Sequence, residues 1–202
     1  MMRVLGRATS GNVQKVVFLL EELGLPYRRE DYGRQFANTA DAAYLALNPN
    51  GKVPTLVDGG VAVWESNTIL RYLAGKAGAK GAALYPADAA ARSHVERWMD
   101  WQLASLNNPY MGLFREAKKP AAERAPSWAA DAKELAAQLA ILDGAIDGGD
   151  WVAGTAMSLA DIALAPIVHR CLDFPVDLPA LKAVRAWRAR VTERPAFKRA
   201  AA

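Results

Sequence analysis

The stretch Asn48 to Asn67, NPNGKVPTLVDGGVAVWESN, decides how the rest of the chain is read. Asn48-Pro49-Asn50-Gly51 is a turn-forming run that leads into Val53-Pro54 and a short apolar run, Thr55 to Val57, closed by Asp58-Gly59-Gly60. A second apolar run, Val61 to Trp64, stops at Glu65-Ser66-Asn67, and Ile69, Leu70 and Leu73 follow at helical spacing. The segment reads as strand, tight hairpin, strand and helix, with Ser66 where a helix cap belongs. Pro54 has no N–H to give a ladder and must take a first or edge position. A cis Val53-Pro54 bond would turn the Val53 backbone outward, where it could pair with a peptide. Downstream, the free N–H groups that open the Ser66 helix are placed to hold a carboxylate.

Toward the N-terminus, Arg3 to Gly6 is a strand candidate, followed by the small polar turn Thr9-Ser10-Gly11-Asn12. Val13, Val16, Val17, Leu20 and Leu23 then share one helical stripe, which Gly24 ends. Tyr27 to Asp31 resumes as a strand after Pro26, giving a strand–helix–strand unit of the parallel, right-handed kind. Gly33 to Thr39 is loop, and a short helix over Asp41 to Leu47 completes the order βαβαββα.

Toward the C-terminus the composition changes near Gly75 to Pro86, after which Ala, Leu, Arg and Trp dominate and strand-like alternation disappears. A long helix opens at Asp88 or Ala89 and is expected to bend near Pro109. Ser127 caps another, with Leu135, Leu139, Leu142 and Ile146 on one face up to Gly148-Gly149. Ser158-Leu159-Ala160-Asp161 has the form of a capping box with the shorter acid, opening a helix expected to kink at Pro166. Leu181, Val184, Trp187 and Val191 mark one more helix, and Pro195 to Ala202 adds a last turn. An α/β domain followed by an all-α domain is therefore expected, and 202 residues suffice for two small domains.

The formal charge of +4 comes from cations interspersed with acids, and the local excess over Arg185 to Arg199 reads as a solvated helix face rather than a nucleic-acid surface. The single cysteine, Cys171, allows no internal disulfide and no Cys-x-x-Cys, so thiol chemistry would have to use a borrowed thiol. His94, His169 and Cys171 do not stand at metal-site spacing, and no metal is expected. No signal peptide and no membrane-spanning apolar run is apparent, which points to a cytoplasmic protein with no membrane partner.

Ser10 lies in the first strand-to-helix turn, where open α/β sheets present groups beyond the carboxyl ends of their strands. Alone it reads as a helix cap. The same turn, however, gathers backbone N–H groups, the Ser10 hydroxyl and the Asn12 amide, all donors to an anion, and a thiolate would suit them. Glu65-Ser66 alone is likewise a cap, and Val53-Pro54 alone a turn.

Taken together in this order, these residues resemble the glutathione transferase family. The resemblance runs through TSGNVQKVVFLLEELGLPYRRED, LNPNGKVPTL, WESNTILRYLA and, in the helical part, SLADIAL. It implies a thioredoxin-like domain over residues 1–78, an all-helical domain over 86–202, an electrophile pocket between the two, and a homodimer. Val53 would pair its backbone with the cysteinyl part of glutathione, with Pro54 cis behind it, and Glu65 and Ser66 would hold the γ-glutamyl end. Lys52 would reach the glycyl carboxylate, although an exposed lysine is more often simply solvated. Ser10 matches the catalytic serine of serine-type classes and Asn12 an asparagine that similar bacterial enzymes place near the sulfur, and both stay open as the sulfur's donor. The tyrosine and the cysteine that other classes carry at this turn are missing, which disfavours their mechanisms. Trp101, Tyr110, Met111 and Phe114 are the candidates for the electrophile pocket, at a spacing that equally fits core packing.

The activity implied is a glutathione transferase of the detoxifying kind, with glutathione as co-substrate, which stabilises the glutathione thiolate for attack on small apolar electrophiles. Two alternatives keep the fold. One is a non-catalytic binding or regulatory relative; the other is a peroxidase, isomerase or dehalogenase working with the same bound thiolate.

Overall fold

Four short strands form one mixed sheet in the computed structural model, which describes residues 1–146 and 148–202. They are β1 (Met2–Leu5), β2 (Tyr27–Glu30), β3 (Thr55–Asp58) and β4 (Val61–Trp64), in the order β2-β1-β3-β4. β1 and β2 are parallel because the helix α1 (Gly11–Leu23) carries the chain back across the sheet before β2 begins. β3 runs antiparallel to both β1 and β4. Asp58, expected in the turn, pairs with Val61 instead and leaves Gly59-Gly60 as the whole turn. Gly24 ends α1 in the left-handed conformation at φ 67°, and Leu25 N–H closes the turn on Leu20 C=O at 2.9 Å.

The helix after β4, α3 (Ser66–Lys76), starts where expected but with a different cap. Glu65, at φ 67°, is the capping residue, and its C=O accepts from Ile69 N–H at 2.9 Å, so Ser66 is already the first helical residue. The short helix α2 (Ala42–Leu45) is briefer than the expected Asp41 to Leu47, with Asp41 as its cap. Another helix, α4 (Gly78–Leu84), fills the stretch read as a boundary. Gly81 permits its close approach to α3, because a Cβ there would lie 1.8 Å from Ala74 O.

Two compact units result, Met1–Ala87 with Thr192–Ala202, and Asp88–Val191. The first therefore takes in the C-terminal helix α10 (Pro195–Ala201), where the sequence suggests a helical domain running to residue 202. The physical reason is local: Phe197 meets Phe18 edge-on, with ring centroids 5.4 Å apart, while Arg194 pairs with Glu22 and Arg199 with Glu21. The core of this unit holds Val4, Leu5, Val16, Leu20, Leu56, Ile69 and Leu73.

The second unit is helical throughout: α5 (Ala89–Trp101), α6 (Asn107–Glu116), α7 (Trp128–Ile146), α8 (Leu159–Cys171) and α9 (Lys182–Glu193), whose last two residues fall in the first unit. In place of a simple bend at Pro109, a π-helical segment, Gln102–Leu106, joins α5 to α6. Pro109 has no N–H to give the carbonyl four residues back, and the wider turn sits just upstream of it. Ser158 and Asp161 form the anticipated capping box, and α8 passes through Pro166 as one helix. Asp161, 0% exposed, does more than cap. It accepts from Val152 N–H (2.9 Å), Ser158 N–H (2.8 Å), the Ser158 hydroxyl (3.1 Å) and the Trp187 indole N–H (2.8 Å). Burial pushes its carboxyl up while these donors pull it back.

Ion pairs take up much of the basic run near the C-terminus: Arg188 with Asp173 and Arg190 with Asp150, in addition to Arg194 and Arg199, which pair with glutamates of α1. Among the described residues, no helix is long and apolar enough to cross a membrane.

Candidate functional site

The first unit brings together three loops at the ends of α1, β3 and α3. Ser10 occupies the capping position of α1 and is 7% exposed, but its hydroxyl makes no capping hydrogen bond; its backbone is used instead, the N–H donating to Arg7 C=O at 3.2 Å and the C=O accepting from Gln14 N–H at 2.9 Å. A cap whose side chain is unspent has a donor to offer an anion at the positive end of a helix. Asn12 lies in the first turn of the same helix, and its Oδ1 accepts from the Ser66 hydroxyl across 3.4 Å. Fifty-four positions apart in the chain, these two residues join the starts of α1 and α3. Ser66 is 3% exposed, and Glu65 before it is exposed.

Val53-Pro54 is cis and immediately precedes β3. The loop that presents Val53 is fastened by residues the sequence reading did not single out for function. Lys52 C=O accepts from both the Tyr44 hydroxyl (2.7 Å) and the Asn48 amide (2.8 Å), and the same two groups reach Thr55 Oγ1 at 2.9 and 3.0 Å. Asn48, Tyr44 and Thr55 are buried, so the backbone on either side of Val53 is held by a satisfied polar network. Gly6 leaves the room it needs, since a Cβ there would come within 2.4 Å of Val13 Cγ2 and 3.3 Å of Val53 Cβ. The Asn48 signal was in the turn itself; that its amide faces inward was not. The Lys52 side chain is exposed.

The four aromatic and Met candidates separate into two groups within the second unit. Tyr110 and Phe114 belong to a cluster with Phe174, at centroid distances of 5.6 and 5.9 Å from Tyr110, and Arg170 donates to the Tyr110 hydroxyl at 3.4 Å. Met111 is half-buried on the same helix. Trp101 stands elsewhere, edge-on to Trp98 and donating its indole N–H to Gln138 Oε1 at 3.0 Å. Phe174 also borders a cleft of about 610 Å³ beside Trp128, Ala132 and Ala136, none of which the periodicity distinguishes from core. Cys171 is fully buried and burial pushes its thiol far up, so the chain has no thiolate of its own to use.

A mixed βαβαββα sheet layer with a cis-proline before its third strand defines a thioredoxin-like domain, here preceding a helical one. Residues 9–76 match the family described as glutathione S-transferase, N-terminal domain, and residues 106–195 the glutathione S-transferase C-terminal domain. The chain is 37% identical over 203 residues to glutathione S-transferase GstB of Escherichia coli, covering 98% of this chain and 97% of that one. It is 30% identical over 202 residues to the disulfide-bond oxidoreductase YfcG of the same organism, covering 94% and 89%. The theta class glutathione S-transferase of Xanthomonas axonopodis pv. citri, in a crystal structure with glutathione bound, superposes with a TM-score of 0.92 at 36% identity, over 99% of this chain and 96% of that one. The chain belongs to the glutathione S-transferase family.

Proposed function

We propose that this protein binds glutathione with the Val53 backbone against the cysteinyl part and with Glu65 and Ser66 on the γ-glutamyl end, and that the Ser10 hydroxyl stabilises the thiolate for attack on small apolar electrophiles. Lys52 is the candidate for the glycyl carboxylate. The single observation that carries the reading is the Ser10 hydroxyl, which sits at a helix N-terminus and is not used for capping. Asn12, whose Oδ1 is engaged by Ser66, is the second choice for the sulfur.

The energetics suffice without a metal or a second base. A thiol of pKa about 8.5 must fall by one to two units, which needs roughly 1.4 to 2.7 kcal/mol. One hydrogen bond to a charged group contributes about 1.5 to 3 kcal/mol. The electrophile side draws on Tyr110, Met111 and Phe114, with Trp101 the least supported because its indole is tied to Gln138. In this reading the first unit, Met1–Ala87 with the C-terminal helix, is the glutathione-binding domain and Asp88–Val191 the electrophile-binding one, in a cytoplasmic homodimer that serves detoxification.

Absorbance titration of bound glutathione thiolate, with the pH–rate profile, tests the assignment. Ser10→Ala should raise the apparent pKa by about one unit, equivalent to about 1.4 kcal/mol, with glutathione affinity changing much less. An unmoved pKa in Ser10→Ala together with a raised one in Asn12→Ala would transfer the role to Asn12.

A further inference from the structure

Among the described residues Val53-Pro54 is the only cis peptide bond, so the Lys52–Val53 unit is trans and planar, and its C=O and N–H point in opposite directions. Where the Lys52 C=O points therefore fixes where the Val53 N–H points. The carbonyl is turned toward the interior: the Tyr44 hydroxyl donates to it at 2.7 Å and the Asn48 amide at 2.8 Å, both from side chains of residues 2% exposed. Two donors occupy both lone pairs of the oxygen. The Val53 N–H is thereby turned away from that buried pair, on a half-buried residue, and no group among the described residues accepts from it. Pro54 brings no N–H, which leaves Val53 as the one backbone donor between Lys52 and Thr55.

The protons of this cluster have one consistent order. Asn48 Oδ1 accepts from Asn50 N–H at 3.0 Å, which sets the amide so that its own N–H groups face Lys52 C=O and, at 3.0 Å, Thr55 Oγ1. Tyr44 has a single proton, given to Lys52 C=O, so across their 2.9 Å contact Thr55 donates and Tyr44 accepts. The four groups close a ring, of which two sides meet at the Lys52 carbonyl and two at the Thr55 hydroxyl. The loop itself restrains the plane little, since Lys52 is exposed and Gly51 before it, at φ 60°, is a residue of wide backbone freedom. A swing of the plane would leave two buried donors without their acceptor, and the ring opposes it.

We propose that Tyr44 and Asn48 are positioning residues of the glutathione site: by holding the Lys52 C=O inward they aim the N–H at the other end of the same peptide plane, that of Val53, at the cysteinyl part of the ligand. This rests on the placement of glutathione against the Val53 backbone given above. A donor already aimed spares the ligand the cost of ordering the loop. Neither side chain is placed on a reacting atom, so their loss weakens binding and spares turnover at saturation.

Calorimetric titration with glutathione, thermal melts, and steady-state kinetics with an activated aryl chloride, on the wild type, Tyr44→Phe, Asn48→Ala and Thr55→Val, test it. Tyr44→Phe and Asn48→Ala each remove a donor from the Lys52 carbonyl and should bind glutathione about five- to tenfold more weakly, raising KM by a similar factor with kcat within about twofold. Thr55→Val opens the same ring but leaves both donors on the carbonyl; it should lower Tm as they do and keep glutathione affinity within about twofold of the wild type. A merely structural network would instead lower Tm in all three and leave the affinity of the folded protein alone. Tyr44→Phe, which changes one hydroxyl, decides the matter should Asn48→Ala not fold. Wild-type affinity in Tyr44→Phe, or a loss in Thr55→Val as large as that in Tyr44→Phe, overturns the proposal while leaving the glutathione site intact. Absence of any binding heat in the wild type overturns the site itself, and this inference with it.

Discussion

Ser10 and Ser158 are the same residue at the same position of two helices, one in each compact unit, and the protein uses them in opposite ways. The Ser158 hydroxyl accepts from Ala160 N–H at 3.2 Å and donates to Asp161, completing a closed set of bonds with no capacity left over. The Ser10 hydroxyl makes no capping bond. Each is accompanied by a fully buried ionisable side chain: Asp161 beside Ser158, accepting from four donors, and Lys15 one turn along the helix that Ser10 begins. A hydroxyl that the fold itself satisfies is architecture, whereas one that its helix start does not spend is available to a ligand. Both sites can be broken, and the breakages should look different.

Removing Asp161 should have the largest effect. Asp161→Ala leaves the N–H groups of Val152 and Ser158 and the indole of Trp187 buried without an acceptor, each costing about 1 to 3 kcal/mol. The total, on the order of 4 kcal/mol, exceeds the roughly 0.5 to 2 kcal/mol of a cap alone and should lower Tm by roughly 10 °C. Calorimetry gives the loss; KM for glutathione on the protein that remains folded should be unchanged. A stable but inactive Asp161→Ala would make Asp161 a site residue and erase the contrast.

Lys15 provides the pH-dependent counterpart. Its pKa falls from 10.5 to about 7 on folding, so between these values the unfolded chain binds more protons than the folded one, and stability contributed at this position rises with pH. Over about pH 7 to 10 the wild type should gain stability relative to Lys15→Met, with a slope approaching about 1.4 kcal/mol per pH unit, and below pH 7 the difference should level off. Urea melts of the two proteins across this range supply the comparison. Parallel curves would mean that Lys15 stays charged in the fold.

The legibility of the two units differs for the same reason. In the first, strands, turn and helix ends follow from residues adjacent in the chain: β4 and the end of α1 fall where periodicity and glycine place them, and β3 runs one residue past the expected Val57. What escaped is what depends on distant contacts. A lysine on an amphipathic helix reads as solvated, yet Lys15 is fully buried in the folded chain. The docking of Phe197 on Phe18 spans almost the whole chain, so a terminal helix read as part of the helical domain joins the first unit instead. In the second unit the capping box was visible because its partners are three residues apart, but Trp187, the fourth donor, comes from 26 residues away. Aromatic residues at helical spacing carry no local mark separating core from pocket. Trp101 and Tyr110 therefore looked alike, although one is bonded to Gln138 and the other stacks with Phe174.

The smallest effect on stability is expected from the serine whose identity matters most for chemistry. If the Ser158 hydroxyl is a working cap and the Ser10 hydroxyl is not, then the same substitution should separate them. Ser158→Ala removes an acceptor for Ala160 N–H and a donor to a buried carboxylate, and should cost about 1 kcal/mol, at most about 2. Ser10→Ala removes no capping bond, so its cost should stay within about 0.5 kcal/mol, the range of substitutions away from such features. Denaturant midpoints at constant m, measured without ligand, give both numbers on one scale. Saturating glutathione should then stabilise Ser158→Ala as much as it stabilises the wild type, since its first unit is intact. A loss in Ser10→Ala as large as that in Ser158→Ala would show that the hydroxyl caps α1 in solution, and the donor to the sulfur would have to be sought at Asn12.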